Sequence, residues 1–131
     1  MQNSLKIILI DENIAFRAAL KSLLIKEYNA EIIGEIAYIN ELRNIKNYNI
    51  ANIILIDLVM PEITGIKATI EILKKDSQLK FTAITTYSEK IYHNNLIEAG
   101  FVGCIYKAEL FNQLAAIINS STQNENITNK E

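Results

Sequence analysis

Polar side chains interrupt the apolar runs of this chain at places of one kind. Asp11 and Glu12 follow Leu5-Lys6-Ile7-Ile8-Leu9-Ile10, and Asp57 stops the run Asn52-Ile53-Ile54-Leu55-Ile56. Thr85 ends Phe81-Thr82-Ala83-Ile84, and Lys107 follows Gly103-Cys104-Ile105-Tyr106. Carboxylates drawn together are costly: two unit charges about 4 Å apart repel by roughly 4 kcal/mol at an effective dielectric near 20. Such a group either keeps a proton on one member or shares a cation. Lys107 offers one positive charge and a divalent ion would supply the rest. The all-oxygen donor set favours Mg²⁺, with Mn²⁺ also acceptable, over zinc. Asp57 closes the most hydrophobic run and is the candidate nucleophile of the group.

The elements that must carry these residues alternate along the chain. The first run is short, β-branched and almost wholly apolar, which suits a strand buried on both faces of a parallel sheet. Ile14, Phe16, Ala18, Ala19, Leu20, Leu23 and Leu24 then recur at mostly helical spacing. A shorter run, Ile32-Ile33-Gly34, precedes a stretch predicted helical around Ile39, Leu42 and Ile45. After Pro61 and Gly65 a helix carries Ile66, Ile70 and Leu73 on one face. Ser88 is placed to cap a helix reaching Ala99, with Gly100 as its stop. The last helix is predicted from about Glu109 to Ile118. Repeated βα units predict an α/β fold: a doubly wound, five-stranded parallel sheet of order 2-1-3-4-5. In that order the first and third strands are neighbours where the winding reverses, and ligands bind outside their carboxyl ends.

The 131 residues suit one domain. Residues 1–118 read as that domain. Residues 119–131 are polar with one apolar member and read as a disordered tail or linker. No apolar run approaches the roughly 20 residues of a membrane span, and Met1-Gln2-Asn3-Ser4 leaves no room for a signal peptide. The single cysteine, Cys104, cannot pair internally, which fits a cytoplasmic setting. A net charge of −2 gives no basic footprint, so no direct nucleic-acid contact is expected of this segment. The glycosylation-like triplets at Asn119 and Asn126 read as chance matches.

Ile10-Asp11-Glu12, then Asp57-Leu58-Val59-Met60-Pro61 with Gly65, then Thr85 and Lys107, resemble the receiver-domain pattern of bacterial two-component response regulators, over residues 5 to about 118. That resemblance implies a CheY-like, flavodoxin-like fold and a phosphoryl group taken onto Asp57 from a sensor histidine kinase. It implies Mg²⁺ held by Glu12, Asp57 and the backbone carbonyl of Val59, with Asp11 contributing directly or through water. Lys107 would pair with the phosphoryl oxygens and the Thr85 hydroxyl would turn inward to meet them. A receiver of this kind is a switch, not a turnover enzyme, although it assists its own phosphorylation and hydrolysis. It can form a homodimer once phosphorylated. Lys107 followed by Ala108 in place of the common Pro, Phe16-Arg17, and Ile97-Glu98-Ala99-Gly100 look like the NarL/LuxR-type transcriptional subfamily. Such proteins carry a helix-turn-helix effector after the receiver, and none is expected within these residues.

Departures from the family pattern are specific. Glu12 is a longer arm where Asp is equally familiar. Cys104 stands where the family has Tyr or Phe three residues before the Lys, with Tyr106 two residues later on the same strand face. Switching is therefore expected to pass through the Thr86–Ser88 loop and the following helix, with Tyr87 or Tyr106 filling space. Thr86 competes with Thr85 for the hydroxyl role, and spacing to Lys107 favours Thr85. His93, Tyr87 and Tyr92 read most simply as surface residues, and Cys104 as a small buried apolar one. The alternatives are a pseudo-receiver used as a binding module, an aspartyl phosphohydrolase and a flavodoxin-like carrier. The first would have lost the Asp, Lys or acidic pair, and the second would need an Asp where Val59 stands. The third would need a phosphate-cradling loop where Asp11-Glu12-Asn13 stands.

Overall fold

The computed structural model describes residues 4–58 and 63–130, with side chains to residue 121 apart from 63 and 64. β1 (Lys6–Ile10), β2 (Glu31–Ile36), β3 (Ile53–Asp57), β4 (Phe81–Thr85) and β5 (Gly103–Tyr106) form one sheet. All pairings are parallel, in the order β2-β1-β3-β4-β5. This is the expected doubly wound topology. α1 (Ile14–Tyr28) and α4 (Leu110–Lys130) cover one face, while α2 (Ile63–Lys75) and α3 (Lys90–Ala99) pack on the other.

The apolar runs divide between the two faces by strand alternation. Ile7, Leu9, Ile53 and Leu55 pack with Leu20, Leu24 and Leu114, whereas Ile8, Ile10, Ile54 and Ile56 pack with Phe81, Leu96 and Phe101. Each such side chain contributes about 1.5–3 kcal/mol when fully buried. The central strands therefore leave no polar face. Ile10 pairs with Ile56, so the residues that follow, Asp11 and Asp57, emerge level with one another. Asp57 in turn pairs with Ile84, and Thr85 with Tyr106.

Three expected elements differ. The second crossover is not an α-helix but two 3₁₀ segments, Ile39–Asn44 and Tyr48–Ile50. Ile39, Leu42 and Ile45 lie three apart, the repeat of a 3₁₀ turn, and Ile39 and Leu42 are buried. Four asparagines in this stretch compete with helical hydrogen bonding, and Asn47 takes a left-handed conformation with φ 60°. Second, Ser88 does not cap α3: Glu89 occupies that position, and its carbonyl accepts from the Tyr92 and His93 N–H groups. Gly100 ends α3 as expected, at φ 116°. Third, α4 does not stop at Ile118 but continues to Lys130. The polar residues beyond Ile118 include no Gly or Pro, so the sequence carries no stop signal there.

Candidate phosphoryl and metal site

Asp11 leaves the end of β1 almost buried, at 7% exposure. Its N–H donates to the Ile36 carbonyl, and its Oδ1 accepts the Asn13 N–H at 2.8 Å. Asn13 then caps α1, its side-chain oxygen accepting the Phe16 N–H at 3.0 Å. Arg17, one residue further along α1, donates from Nη1 to the Asp11 carbonyl. Arg17 is itself steadied by Glu35, 3.5 Å from its Nε, and Glu35 also meets Lys21 at 2.5 Å. The Lys21 ammonium, helped by Arg17, holds the Glu35 carboxyl below its usual range.

The second oxygen of Asp11 has no such support. Oδ2 is buried without a hydrogen-bond donor. Burial, with the neighbouring Asp57 charge adding to it, pushes the Asp11 carboxyl up to about 6, although the Asn13 N–H and Lys107 pull the other way. Asp57, with its side chain 10% exposed, accepts from Lys107 Nζ through Oδ2 at 2.8 Å. The Lys107 ammonium also lies 4.0 Å from the centroid of the Phe16 ring.

Thr85 is fully buried, and its Oγ1 accepts the Tyr87 N–H at 3.0 Å. Its own hydroxyl proton remains available to donate. Glu12 is exposed and lines a cavity of about 480 Å³ whose wall also includes Ile10, Tyr38, Ile56, Asp57 and Gly65. Asp11, Asp57, Lys107 and Thr85 therefore gather at the carboxyl ends of the strands as expected, while Glu12 stands at the rim. Val59 lies outside the described residues. Among the described residues no three His, Cys, Asp or Glu side chains are grouped closely enough to hold a metal ion. The buried pair nevertheless fits one: an unpartnered Asp11 oxygen beside the Asp57 carboxylate requires a proton or a cation, and both donors are hard oxygens.

Cys104 is half-buried against the Phe101 side of the core, and burial raises its thiol to about 11. Tyr106 is tied through its N–H to Gln113 Oε1 at 2.6 Å. The aromatic mass lies instead on the loop and α3, where the Tyr87 and Tyr92 rings meet edge-on with centroids 4.9 Å apart. His93, expected at the surface, is half-buried, with Nε2 2.7 Å from the Tyr87 carbonyl. Sequence reasoning missed four contributors: Asn13, Arg17, His93 and the ring of Phe16. Asn13 could have been found as a capping residue before an apolar-periodic run. The other three carry no local signal, because their partners lie on other elements.

The profile for response regulator receiver domains matches residues 7–119. Among curated proteins, the chain is 26% identical over 108 residues to the transcriptional regulatory protein DegU of Brevibacillus brevis, covering 81% of this chain and 45% of DegU. It is 24% identical over 135 residues to the response regulator protein VraR of Staphylococcus aureus, covering 98% of this chain and 61% of VraR. The chain thus spans about half the length of these relatives. Among solved structures, the signal receiver domain of NarL from Mycobacterium tuberculosis superposes with a TM-score of 0.76 at 16% identity, covering 92% of this chain and 98% of that one. A LuxR-family DNA-binding response regulator from Staphylococcus aureus superposes with a TM-score of 0.72 at 23% identity, covering 88% and 97%.

Proposed function

The chain belongs to the response regulator receiver domain family, and on that premise we propose that Asp57 accepts a phosphoryl group and that this switches a downstream output. The carrying observation is the Asp57–Lys107 contact at 2.8 Å beside the buried, unpartnered Asp11 oxygen. An Asp57 oxygen attacks phosphorus as the bond to the donor, a histidine nitrogen of a sensor kinase, breaks. The Lys107 ammonium is already in place to follow the charge onto the transferring oxygens, so little reorganisation is required. The Thr85 hydroxyl donates to a phosphoryl oxygen, drawing its loop inward. Mg²⁺, or Mn²⁺, would be held by Asp57 and Asp11, with Glu12 and the Val59 carbonyl completing the set, and would neutralise the converging charge. Hydrolysis of the acyl phosphate by water resets the switch. The pseudo-receiver alternative is disfavoured because Asp57, Lys107 and both acids are retained.

The kinship to DegU, a transcriptional regulatory protein, supports transcription as the output; residues 119–131 as the connection to an effector outside the receiver unit, and homodimerisation on phosphorylation, belong to the same proposal. None of the described helices is long and apolar enough to cross a membrane. With a small phosphodonor and Mg²⁺, intact-mass measurement should show one added phosphoryl group on the wild type and none on Asp57→Asn. Equal uptake by both proteins rules out Asp57.

A further inference from the structure

Phe16 has no polar atom, yet it touches the most important cation of the site. We propose that Phe16 is a positioning residue for phosphoryl transfer, seating the Lys107 ammonium at Asp57 on the face of its ring. The proposal rests on the reading of Asp57 as phosphoacceptor.

The contacts form a continuous chain around the site. Asp11 Oδ1 accepts the Asn13 N–H at 2.8 Å, and Asn13 Oδ1 accepts the Phe16 N–H at 3.0 Å. The Phe16 ring centroid lies 4.0 Å from Lys107 Nζ, and that nitrogen donates to Asp57 Oδ2 at 2.8 Å. The helix cap therefore holds the backbone that carries the ring, and the ring meets the lysine. Phe16 is itself half-buried against Leu20, Leu24 and their neighbours, so the platform is rigid on its other side.

A lysine needs such a platform. Its flexible four-carbon stem carries a strongly hydrated point charge with three donors. One donor is taken by Asp57, and the Lys107 side chain remains 30% exposed. Without a second contact the ammonium would sample many rotamers at the cost of productive geometry. A carboxylate could hold it, but would add a fourth negative charge beside an incoming phosphoryl group. An aromatic face attracts the cation through its quadrupole and carries no net charge. Phe16 can thus restrain Lys107 without competing with the phosphoryl oxygens. A purely apolar role in packing would be met equally well by a leucine.

The test is a series at position 16 in the full chain, with Phe16→Tyr, Phe16→Leu and Phe16→Ala compared for phosphorylation rate by acetyl phosphate and Mg²⁺. Cation–π contacts at exposed to half-buried sites correspond to about a two- to fivefold rate effect. The expected result is a Tyr variant near the wild-type rate and a Leu variant two- to fivefold slower, with thermal melts showing both folded. A second readout does not depend on chemistry: ring current should shift the Lys107 ε-methylene proton resonances upfield in the wild type and Tyr variant, but not in the Leu variant. A Leu variant as fast as wild type, or Lys107 resonances at ordinary positions in the wild type, would overturn the proposal. Wild type that takes up no phosphoryl group would instead overturn the phosphoacceptor reading, and this role with it, even with the upfield shift intact. The shift thereby separates the two failures.

Discussion

His93 Nε2 lies 2.7 Å from the Tyr87 carbonyl oxygen, and because a carbonyl only accepts, that nitrogen carries a hydrogen. Tyr87 is consequently held from two sides: its N–H by Thr85 Oγ1 at 3.0 Å, its carbonyl by α3. Any inward movement of the Thr85 hydroxyl must therefore pull on the helix. Cys104 is too small to fill the space Thr85 would leave, so this loop is expected to carry the response that an aromatic on β5 would otherwise carry. With a beryllofluoride phosphoryl mimic, hydrogen exchange should change chiefly over residues 86–95. His93→Ala should raise exchange there without the mimic, a loosening on the order of 1 kcal/mol. Changes confined to the strand around Cys104 would refute this route.

Tyr87 also follows Thr85 by two residues, its ring edge-on to that of Tyr92 with centroids 4.9 Å apart. On the proposed function, its bulk is expected to hinder water approaching an acyl phosphate on Asp57. Tyr87→Ala should shorten the phosphoryl half-life several-fold in a single-turnover decay. An unchanged half-life would show that the ring does not screen the site.

Asp11 gives a pH-dependent signature. Its folded carboxyl is raised to about 6 from an ordinary 3.8, mainly by burial. The folded state therefore keeps the proton longer than the unfolded state, and stability falls as pH rises from about 4 to about 6. Asp11→Asn removes that cost. Metal-free melts should show the variant more stable than wild type above pH 6, by on the order of 2 kcal/mol, and no advantage below pH 4. A gain that is independent of pH would mean that Asp11 does not titrate in this way.

Glu12 lines the cavity that Asp57 also lines, and in the proposed site it would join a metal held by Asp11 and Asp57. Glu12→Gln should weaken Mg²⁺ binding while leaving the metal-free fold intact or slightly more stable, because carboxylate repulsion is relieved. Thermal melts titrated with MgCl₂ give the answer. The same Mg²⁺-induced rise in wild type and variant would remove Glu12 from the ligand set.

Cys104 should be chemically quiet. Burial raises its thiol from 9.0 to about 11, which lowers the reactive thiolate fraction near neutral pH about a hundredfold. Alkylation by iodoacetamide at pH 8 should be slow for the folded protein and fast in denaturant. Rapid labelling of the native form would place Cys104 in an accessible position instead.

Strand order, the two-sided burial of β1 and β3 and the gathering of Asp11, Asp57, Thr85 and Lys107 were all legible in the amino-acid order. The strands and their two-sided burial follow from short, unbroken apolar runs alternating with helical spacing, and the strand order from the receiver-type resemblance that those units carry. Ile39, Leu42 and Ile45 were legible as buried, but a three-residue spacing does not by itself separate an α-helix from a 3₁₀ turn. The polar stretch after Ile118 was read as unable to pack, which says nothing of where a helical backbone ends. What tertiary structure alone decided was contact between distant elements. The Phe16 ring met Lys107 because the cap at Asn13 aims α1 toward the end of β5. His93 met Tyr87 because α3 is capped at Glu89, not Ser88, setting the phase of its first turn. The raised carboxyl of Asp11 likewise depends on burial and on Asp57 across the sheet, and desolvation and charge are properties of three-dimensional surroundings.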